Sequence, residues 1–136
     1  MKRRQILLLT IISIASLSLI SSTIRNYQCR KCGTLVWQDR TPSYSGCPDG
    51  GSHSWVNLGE VGNKNYQCRK CGTLVRSKQT PSYSGCPAGN SHSWTSLGNV
   101  GNNAYQCQQC GTLVYSERYP SYSGCPAGGS HRWKKL

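Results

Sequence analysis

Tyr27-Gln28-Cys29-Arg30-Lys31-Cys32-Gly33-Thr34-Leu35-Val36 decides the architecture of this chain, because the stretch returns twice, each time 39 residues further on. The later copies occupy 66–75 and 105–114, and shared stretches around Cys47 and His53 follow each copy at the same distance. A fixed period of this length is the signature of a repeat protein. The sequence therefore predicts three units, at 27–58, 66–97 and 105–136, of 32 residues each.

Each unit is too small to fold on an apolar core alone. Domains below about 40 residues usually need disulfides, a metal ion or oligomerisation. The chain has no Phe, and its nine Cys divide into three per unit. The cysteines must therefore supply the cross-link that holds each unit together.

The spacing of these cysteines is typical of a metal site. Each unit reads Cys, two residues, Cys, fourteen residues, Cys, five residues, His. Three Cys and one His form a common tetrahedral ligand set for structural zinc. We predict three structural Zn²⁺ ions, one per unit. The predicted ligand sets are Cys29, Cys32, Cys47, His53; Cys68, Cys71, Cys86, His92; and Cys107, Cys110, Cys125, His131.

Two alternatives use the same cysteines. Exported cysteines usually oxidise, so a secreted, disulfide-stapled repeat protein is one alternative. Three Cys per unit would leave one unpaired, and the recurring His would have no role. Thiol redox chemistry at the Cys pair is the other alternative, but it needs a helix N-terminus, which the sequence does not predict. Zinc is the favoured interpretation.

The pattern resembles the zinc-ribbon group of small domains. The resemblance rests on Cys29-Arg30-Lys31-Cys32-Gly33 and on Gly46-Cys47-Pro48, with their counterparts in the other units. It departs in the second half, where one Cys and a His replace the usual second Cys pair. The resemblance implies three tandem zinc-ribbon-like modules with closed, structural metal sites.

Within a unit we predict a small, metal-stabilised β fold. A short hairpin folds back across the Cys pair, 54–58 adds a third strand, and 41–46 is a loop by composition. Trp55 and Leu58 are expected to cover the hairpin. Seven-residue linkers rich in Gly and Asn, 59–65 and 98–104, predict flexible tethers and separate, independently folding units.

The N-terminal segment, residues 1–24, is predicted to be a secretory signal peptide or a transmembrane anchor. Basic residues at 2–4 precede twenty uncharged residues, Gln5 to Ile24. A basic start followed by an apolar run suits a cleaved signal, and twenty residues are also enough to span a bilayer as a helix. Either interpretation predicts that the repeats are exported: secreted, extracytoplasmic, or held at the cell membrane by a single span.

The formal net charge of +12 permits a polyanionic partner without requiring one. Tyr44, Tyr83 and Tyr122 recur in a Pro-Ser-Tyr-Ser-Gly loop, and Arg30-Lys31 and Arg69-Lys70 form basic tips between the paired Cys. Three copies of one surface favour an interaction protein that binds an unknown macromolecule, either a polyanion or another protein, by avidity. Packing of each Tyr over its own metal site is the competing interpretation of the loop.

Other functions fit less well. Nucleic-acid binding suits the charge but not the predicted export. An enzyme is not predicted, because four protein ligands close each site and acidic residues are scarce. Metal storage is a further alternative, although closed sites suit structure better than exchange.

Overall fold

The computed structural model describes residues 23–136. The predicted signal peptide or anchor at residues 1–24 lies outside the described residues except for its last two. Within 23–136 the regular structure is entirely β, and no helix there is long and apolar enough to cross a membrane. The strands are β1 (Arg25–Cys29), β2 (Leu35–Gln38), β3 (Trp55–Glu60), β4 (Lys64–Cys68), β5 (Leu74–Ser77), β6 (Trp94–Asn99), β7 (Asn103–Cys107), β8 (Leu113–Ser116) and β9 (Trp133–Lys135).

The nine strands form three similar antiparallel sheets, with strand orders β2-β1-β3, β5-β4-β6 and β8-β7-β9. In the first sheet Tyr27 pairs with Val36 across the hairpin, and Cys29 pairs with Trp55 on the other side. The hairpin folded back across the Cys pair and the third strand are therefore confirmed. The central strand of each sheet ends at the first Cys of its unit, so the sheet fixes one metal-ligand candidate directly.

The prediction that the linkers are flexible tethers is wrong. Strand β3 continues to Glu60, and β4 begins at Lys64, so only 61–63 connect the first two sheets. Asn26 of β1 pairs with Gly59, which places the start of the linker inside the first sheet. The Gly and Asn residues thus form strand ends and a tight turn instead of a loose spacer.

A β-bulge in β3 turns Leu58 towards the second unit. The register shifts between Asn26 and Tyr27, because Asn26 pairs with Gly59 while Tyr27 pairs with Asn57, which leaves Leu58 as the extra residue. A bulge redirects a side chain out of the regular alternation. Leu58 is only 1% exposed, and it lies in one cluster with Tyr66 and Val75 of the second unit. The same shift occurs opposite Leu97, which packs with Tyr105 and Val114 of the third unit.

Hydrogen bonds join each unit to the next. Asn26 Nδ2 donates to the carbonyl of Arg76 at 2.9 Å, and Gln28 Nε2 donates to Thr73 Oγ1 at 2.7 Å. The backbone N–H of Ser82 donates to the carbonyl of Leu58 at 3.0 Å. The second junction repeats the side-chain bonds at 2.9 and 2.7 Å and the backbone bond at 3.2 Å; its pairs are Asn65–Tyr115, Gln67–Thr112 and Leu97–Ser121.

The prediction of separate units without mutual contact is therefore wrong, and independent folding of each unit stays a prediction. Each junction combines a buried leucine, two buried amide side chains and backbone hydrogen bonds. Stacked repeats of this kind derive their stability from each unit and from its interface with the next. The repeats form a short stack, and the leucine predicted to cover its own hairpin is part of the contact between units.

Substitution of Gly62 tests the first junction. A Cβ at Gly62 would collide with the backbone of Ser77 and Lys78, which cannot rotate away as a side chain would. We expect Gly62→Ala to destabilise the fold by about 1–3 kcal/mol, the usual cost of overpacking. Thermal unfolding of the zinc-loaded protein measures this loss. The exposed neighbour provides the control: Asn63→Ala should leave the midpoint almost unchanged, and equal midpoints for both variants would contradict the close approach.

Candidate metal centres

The structure brings together the four predicted ligand residues of each unit. In every set the three Cys Sγ atoms and one His ring nitrogen lie within 4.8 Å of one another. All nine cysteines are free of disulfide bonds. The clusters are Cys29, Cys32, Cys47, His53; Cys68, Cys71, Cys86, His92; and Cys107, Cys110, Cys125, His131. The described chain thus contains three clusters that could each hold one metal ion.

The first half of each cluster is a tight turn at the end of the central strand. The N–H of Gly33 donates to the carbonyl of Cys29 at 2.9 Å, and Gly33 adopts φ of +81°, a conformation that favours glycine. The turn returns the chain so that the N–H of Cys29 bonds the carbonyl of Thr34 at 3.0 Å. Both Cys sulfurs consequently face the same point.

The second half is a loop fixed by backbone hydrogen bonds and by a lysine. The N–H of Gly50 donates to the carbonyl of Cys47 at 2.9 Å, and that of His53 to the carbonyl of Tyr44 at 2.6 Å. Lys31 Nζ, from the first turn, donates to the carbonyls of Gly50 and Ser52 at 2.7 and 3.0 Å. The lysine therefore ties the two halves of the site together.

This role changes the interpretation of the basic tips. Lys70 makes the same two contacts in the second unit, at 2.8 and 2.7 Å, and Gln109 of the third unit bonds the carbonyl of Gly128 at 2.9 Å. A neutral side chain thus performs the same task as the lysines. Arg30 and Arg69 are also exposed, and no side-chain hydrogen bond within the described residues engages them.

The dimensions of the clusters fit a tetrahedral zinc ion. Zn–S bonds of about 2.3 Å and Zn–N bonds of about 2.0–2.1 Å at tetrahedral angles imply an S···N separation of about 3.6 Å. In all three units the Sγ of the second Cys lies 3.6 Å from Nδ1 of the His. Backbone N–H groups also reach the first sulfur of each site, from Ser54, Ser93 and Arg132 at 3.4, 3.3 and 3.4 Å. These donors stabilise thiolates, the form that binds metal.

Each candidate histidine is oriented by a stacked tryptophan. The ring of His92 lies against Trp94 with centroids 4.5 Å apart, and the indole Nε1 donates to the carbonyl of Ser82 at 2.9 Å. Metal-binding His usually donates its second ring N–H to a hydrogen-bond acceptor. Nε2 of His92 and of His131 is buried and finds no such acceptor within residues 23–136. Stacking and burial, and not a hydrogen bond to Nε2, thus fix the orientation of the imidazole ring.

The thiols of a cluster differ in how readily they ionise. Burial opposes ionisation of Cys29, but hydrogen bonds from the backbone of Cys32 and Ser54 outweigh it and lower its pKa to about 6. Burial and the neighbouring Cys68 raise the pKa of Cys71 to about 11. Burial likewise raises the pKa of Cys47 and of Cys125. Each site therefore contains one thiol that keeps its proton at neutral pH until a cation offsets the charge.

Metal uptake should release protons. At pH 7 a bound dication must displace the proton of the raised-pKa thiol in each site, because only the thiolate is a ligand. We expect at least one proton per zinc bound, measured by titrating zinc into the reduced protein in weakly buffered solution with a pH indicator. Lowering the pH should weaken zinc binding, since protons compete for all three thiols. Uptake of three zinc ions at pH 7 without proton release would contradict these pKa shifts.

The predicted binding tyrosines are exposed. Tyr44, Tyr83 and Tyr122 are 57%, 57% and 54% exposed, so they do not pack over their own metal sites as the competing interpretation required. Their loops are held in the same way, because the tyrosine carbonyl accepts the N–H of the candidate histidine in every unit, at 2.6 Å. The metal-site cluster thus fixes the backbone that carries each tyrosine.

A second exposed surface, which was not predicted from the sequence, lies on the outer hairpin strands. Trp37 of β2 is 65% exposed, and Tyr115 of β8 is 44% exposed, with the Arg76 guanidinium 5.9 Å from the centre of its ring. The signal was present in the alternation of Leu35-Val36-Trp37, since successive strand residues face opposite sides. The tyrosine loops carry the same residue in every unit, whereas this surface carries Trp37, Arg76 and Tyr115 at the equivalent position of the three units.

Comparisons with protein-family models, with curated proteins and with solved structures find no match to this chain. The metal-site assignment therefore stands on the repeated Cys₃His geometry, and the chain is described as three similar, small, all-β modules with candidate metal sites.

Proposed function

We propose that this chain is an exported or membrane-tethered interaction protein, in which three structural zinc ions hold a stack of zinc-ribbon-like modules that present one binding loop three times. The observation that carries the proposal is the threefold recurrence of a fixed loop with a half-exposed tyrosine beside a four-residue cluster. The proposed ligand is an extended polyanion with repeating units. Catalysis is not part of the proposal.

The site chemistry supports zinc in a structural role. Three sulfurs and one imidazole nitrogen complete a tetrahedron, so no position is left for water or substrate. The first two Cys of each site are held by a turn and a strand end, and the last two residues by backbone bonds and a lysine or glutamine. A site built from such fixed elements suits stable retention of the ion better than exchange with a metal pool.

The stack supports binding by several contacts at once. Because the units contact one another, the three tyrosines are held at constant separations, and a ligand does not have to order a flexible linker. Aromatic faces stack on bases or sugars, and each such contact contributes about 1–3 kcal/mol in single-stranded nucleic acids. Exposed Arg30 and Arg69 add positive charge near the loops' metal sites. A repeating anionic polymer matches this combination of repetition, aromatic rings and charge.

The experiment measures binding of the zinc-loaded protein to heparin, an anionic polysaccharide, at several salt concentrations. The test variant combines Tyr44→Ala, Tyr83→Ala and Tyr122→Ala. Since all three side chains are exposed, folding should be preserved, and the affinity should fall by more than tenfold. The single variant Tyr83→Ala should lose much less, because two loops still bind.

A charge-removing control separates stacking from net charge. Lys31→Gln with Lys70→Gln removes two positive charges but can keep one loop contact in each unit, as Gln109 does in the third unit. This control should weaken heparin binding only modestly. No binding at low salt, or equal losses in the tyrosine and lysine variants, would contradict the proposed ligand and loop. Tighter, tyrosine-dependent binding of poly(dT) would favour the nucleic-acid alternative instead.

The proposed location has a separate test. Intact mass of the protein from its own host, combined with fractionation, reports cleavage after the N-terminal segment, the thiol state and the number of bound zinc ions. Export predicts an extracytoplasmic or membrane-bound protein with three zinc ions and nine thiols. A cytoplasmic protein with an intact N-terminus would contradict export, and paired cysteines without zinc would support the disulfide alternative.

A further inference from the structure

Each internal junction joins two different surfaces, one from each of the two units. Within the described residues, the third unit exposes a surface of the first kind and the first unit exposes a surface of the second kind. We call Gln106, Gly111, Lys134 and Leu136, at the end of the third unit, the donor face. We call Thr34, Val36, Gly46 and Pro48, at the start of the first unit, the acceptor face. Their counterparts meet inside the chain twice, once between the first and second units and once between the second and third.

The donor face lacks the cover that its counterparts have. Leu58 and Leu97 are each 1% exposed, whereas Leu136, at the same position of the repeat, is 65% exposed. Gln28 and Gln67 are buried between units, whereas Gln106 is exposed and bonds only the carbonyl of Gly111 in its own unit, at 3.3 Å.

Glycine contacts show the same difference. A Cβ at Gly33 would touch Pro87 of the following unit at 3.7 Å, and one at Gly72 would touch Pro126 at 3.8 Å. A Cβ at Gly111 would meet nothing within 4 Å in the part of the chain that the structure describes. The surface that receives a neighbouring proline in the first two units is therefore open in the third.

The acceptor face of the first unit is also more exposed than its counterparts in the second and third units. Val75 and Val114 are 1% and 0% exposed beneath the preceding unit, whereas Val36 is only half-buried. A Cβ at Gly85 would collide with Val56 of the unit before it, while one at Gly46 would meet nothing within 4 Å among the described residues, 23–136. Pro48 is exposed, although its counterparts Pro87 and Pro126 lie against glycines of the preceding unit.

We propose that the donor face of one copy of this chain binds the acceptor face of a second copy, and so continues the internal stack from molecule to molecule. In this contact Gln106 Nε2 donates to Thr34 Oγ1 of the next copy, as Gln28 and Gln67 do within the chain. The carbonyl of Leu136 accepts the N–H of Ser43 of the next copy, as Leu58 and Leu97 accept from Ser82 and Ser121.

The two faces differ from the internal junctions in charge. Lys134 stands where Val56 and Thr95 contact the next unit, and Asp49 follows Pro48 where the other units carry Ala88 and Ala127. Ala104 replaces Asn26 and Asn65, so the contact between copies has one side-chain hydrogen bond fewer than the internal junctions.

Such a contact is heterologous, because it joins two different surfaces. It forms open chains of molecules unless the rotation between copies closes a ring. Internal junctions also gain from their short covalent connection, which sets an effective concentration in the millimolar range. Association between copies should therefore depend strongly on protein concentration.

The test follows the mass of the zinc-loaded full chain in a nonionic detergent by sedimentation velocity, from about 10 μM to about 1 mM. The wild-type mass should rise with concentration. Two variants each block one face. The donor-blocked variant carries Gln106→Arg and Leu136→Lys, both at exposed positions, and the acceptor-blocked variant carries Pro48→Arg. Each variant alone should show no concentration-dependent growth, and native mass should report three zinc ions in both.

A mixture of the two variants gives the decisive result. The donor-blocked chain keeps its acceptor face, and the acceptor-blocked chain keeps its donor face, so the mixture should form a one-to-one pair that grows no further. Tyr83→Lys, which adds a charge at an exposed residue of the middle unit outside both faces, should assemble like wild type. A wild-type mass that stays constant up to 1 mM, or a mixture without pairs, would overturn the proposal. These outcomes do not depend on heparin binding.

Discussion

Removal of the proposed zinc ions by a strong chelator is expected to unfold all three sheets. The largest apolar cluster in the described chain contains only six buried residues, two of which, Cys107 and Cys125, are themselves candidate ligands. Structural zinc sites contribute about 10–16 kcal/mol of apparent binding energy in small zinc-finger peptides, which exceeds the stability of most domains. We expect the β-sheet circular dichroism signal to disappear after chelation under reducing conditions and to return when zinc is added.

Magnesium provides a control for this experiment, because it prefers oxygen ligands and should not restore the signal. The same measurement on non-reduced protein tests the disulfide alternative. A β-sheet signal that survives the chelator, with cysteines bridged to one another, would contradict a metal-stabilised fold.

Loss of the middle candidate metal site is expected to destabilise all three units. Cys71→Ser removes one ligand of the second site, and the second unit takes part in both junctions. It supplies Thr73 as acceptor to Gln28 of the first unit, and Gln67 as donor to Thr112 of the third. When the second unit unfolds, Leu58 loses its apolar cover and Gln28 loses its partner, so the first unit loses the interface energy that stacked repeats share. Hydrogen exchange should therefore show lower protection in β1 and β7 as well as in β4.

Cys110→Ser is the matched comparison, because the third unit takes part in only one junction within the described chain. This variant should lower protection in the third unit and partly in the second, and leave the first nearly unchanged. If Cys71→Ser reduced protection in the second unit alone, the coupling through the junctions would be refuted. A stepwise loss that follows distance from the altered site is the behaviour expected of stacked repeats.

The sequence predicted the local structure of each unit well. The spacing of Cys29 and Cys32, followed by Gly33, constrains the chain to a tight turn whatever surrounds it. The apolar residues after the turn, Leu35 and Val36, then have to return along β1. The His six positions after the third Cys could be grouped with the cysteines because it recurs in every unit. All of these inferences involve residues that are close in sequence or repeated in register.

The contacts between units could not be predicted in the same way. Gln28 and Asn26 are polar residues that would ordinarily be assigned to solvent, yet their partners lie 45 and 50 residues further along the chain. Leu58 would cover its own hairpin if β3 were regular, but the bulge directs it into the next unit. The linkers were interpreted as flexible from composition alone, although Gly59, with φ of +116°, is part of the bulge.

The stacking of His92 on Trp94, repeated in the other two units, has a practical consequence. Each metal centre has an indole chromophore in direct contact with one of its candidate ligands, with ring centroids 4.4–4.5 Å apart. The fourth tryptophan, Trp37, is exposed on the outer strand and belongs to none of the centres. In a Trp37→Phe chain all the tryptophan fluorescence would therefore come from the metal centres, so that emission excited selectively at tryptophan could follow their occupancy without an added label.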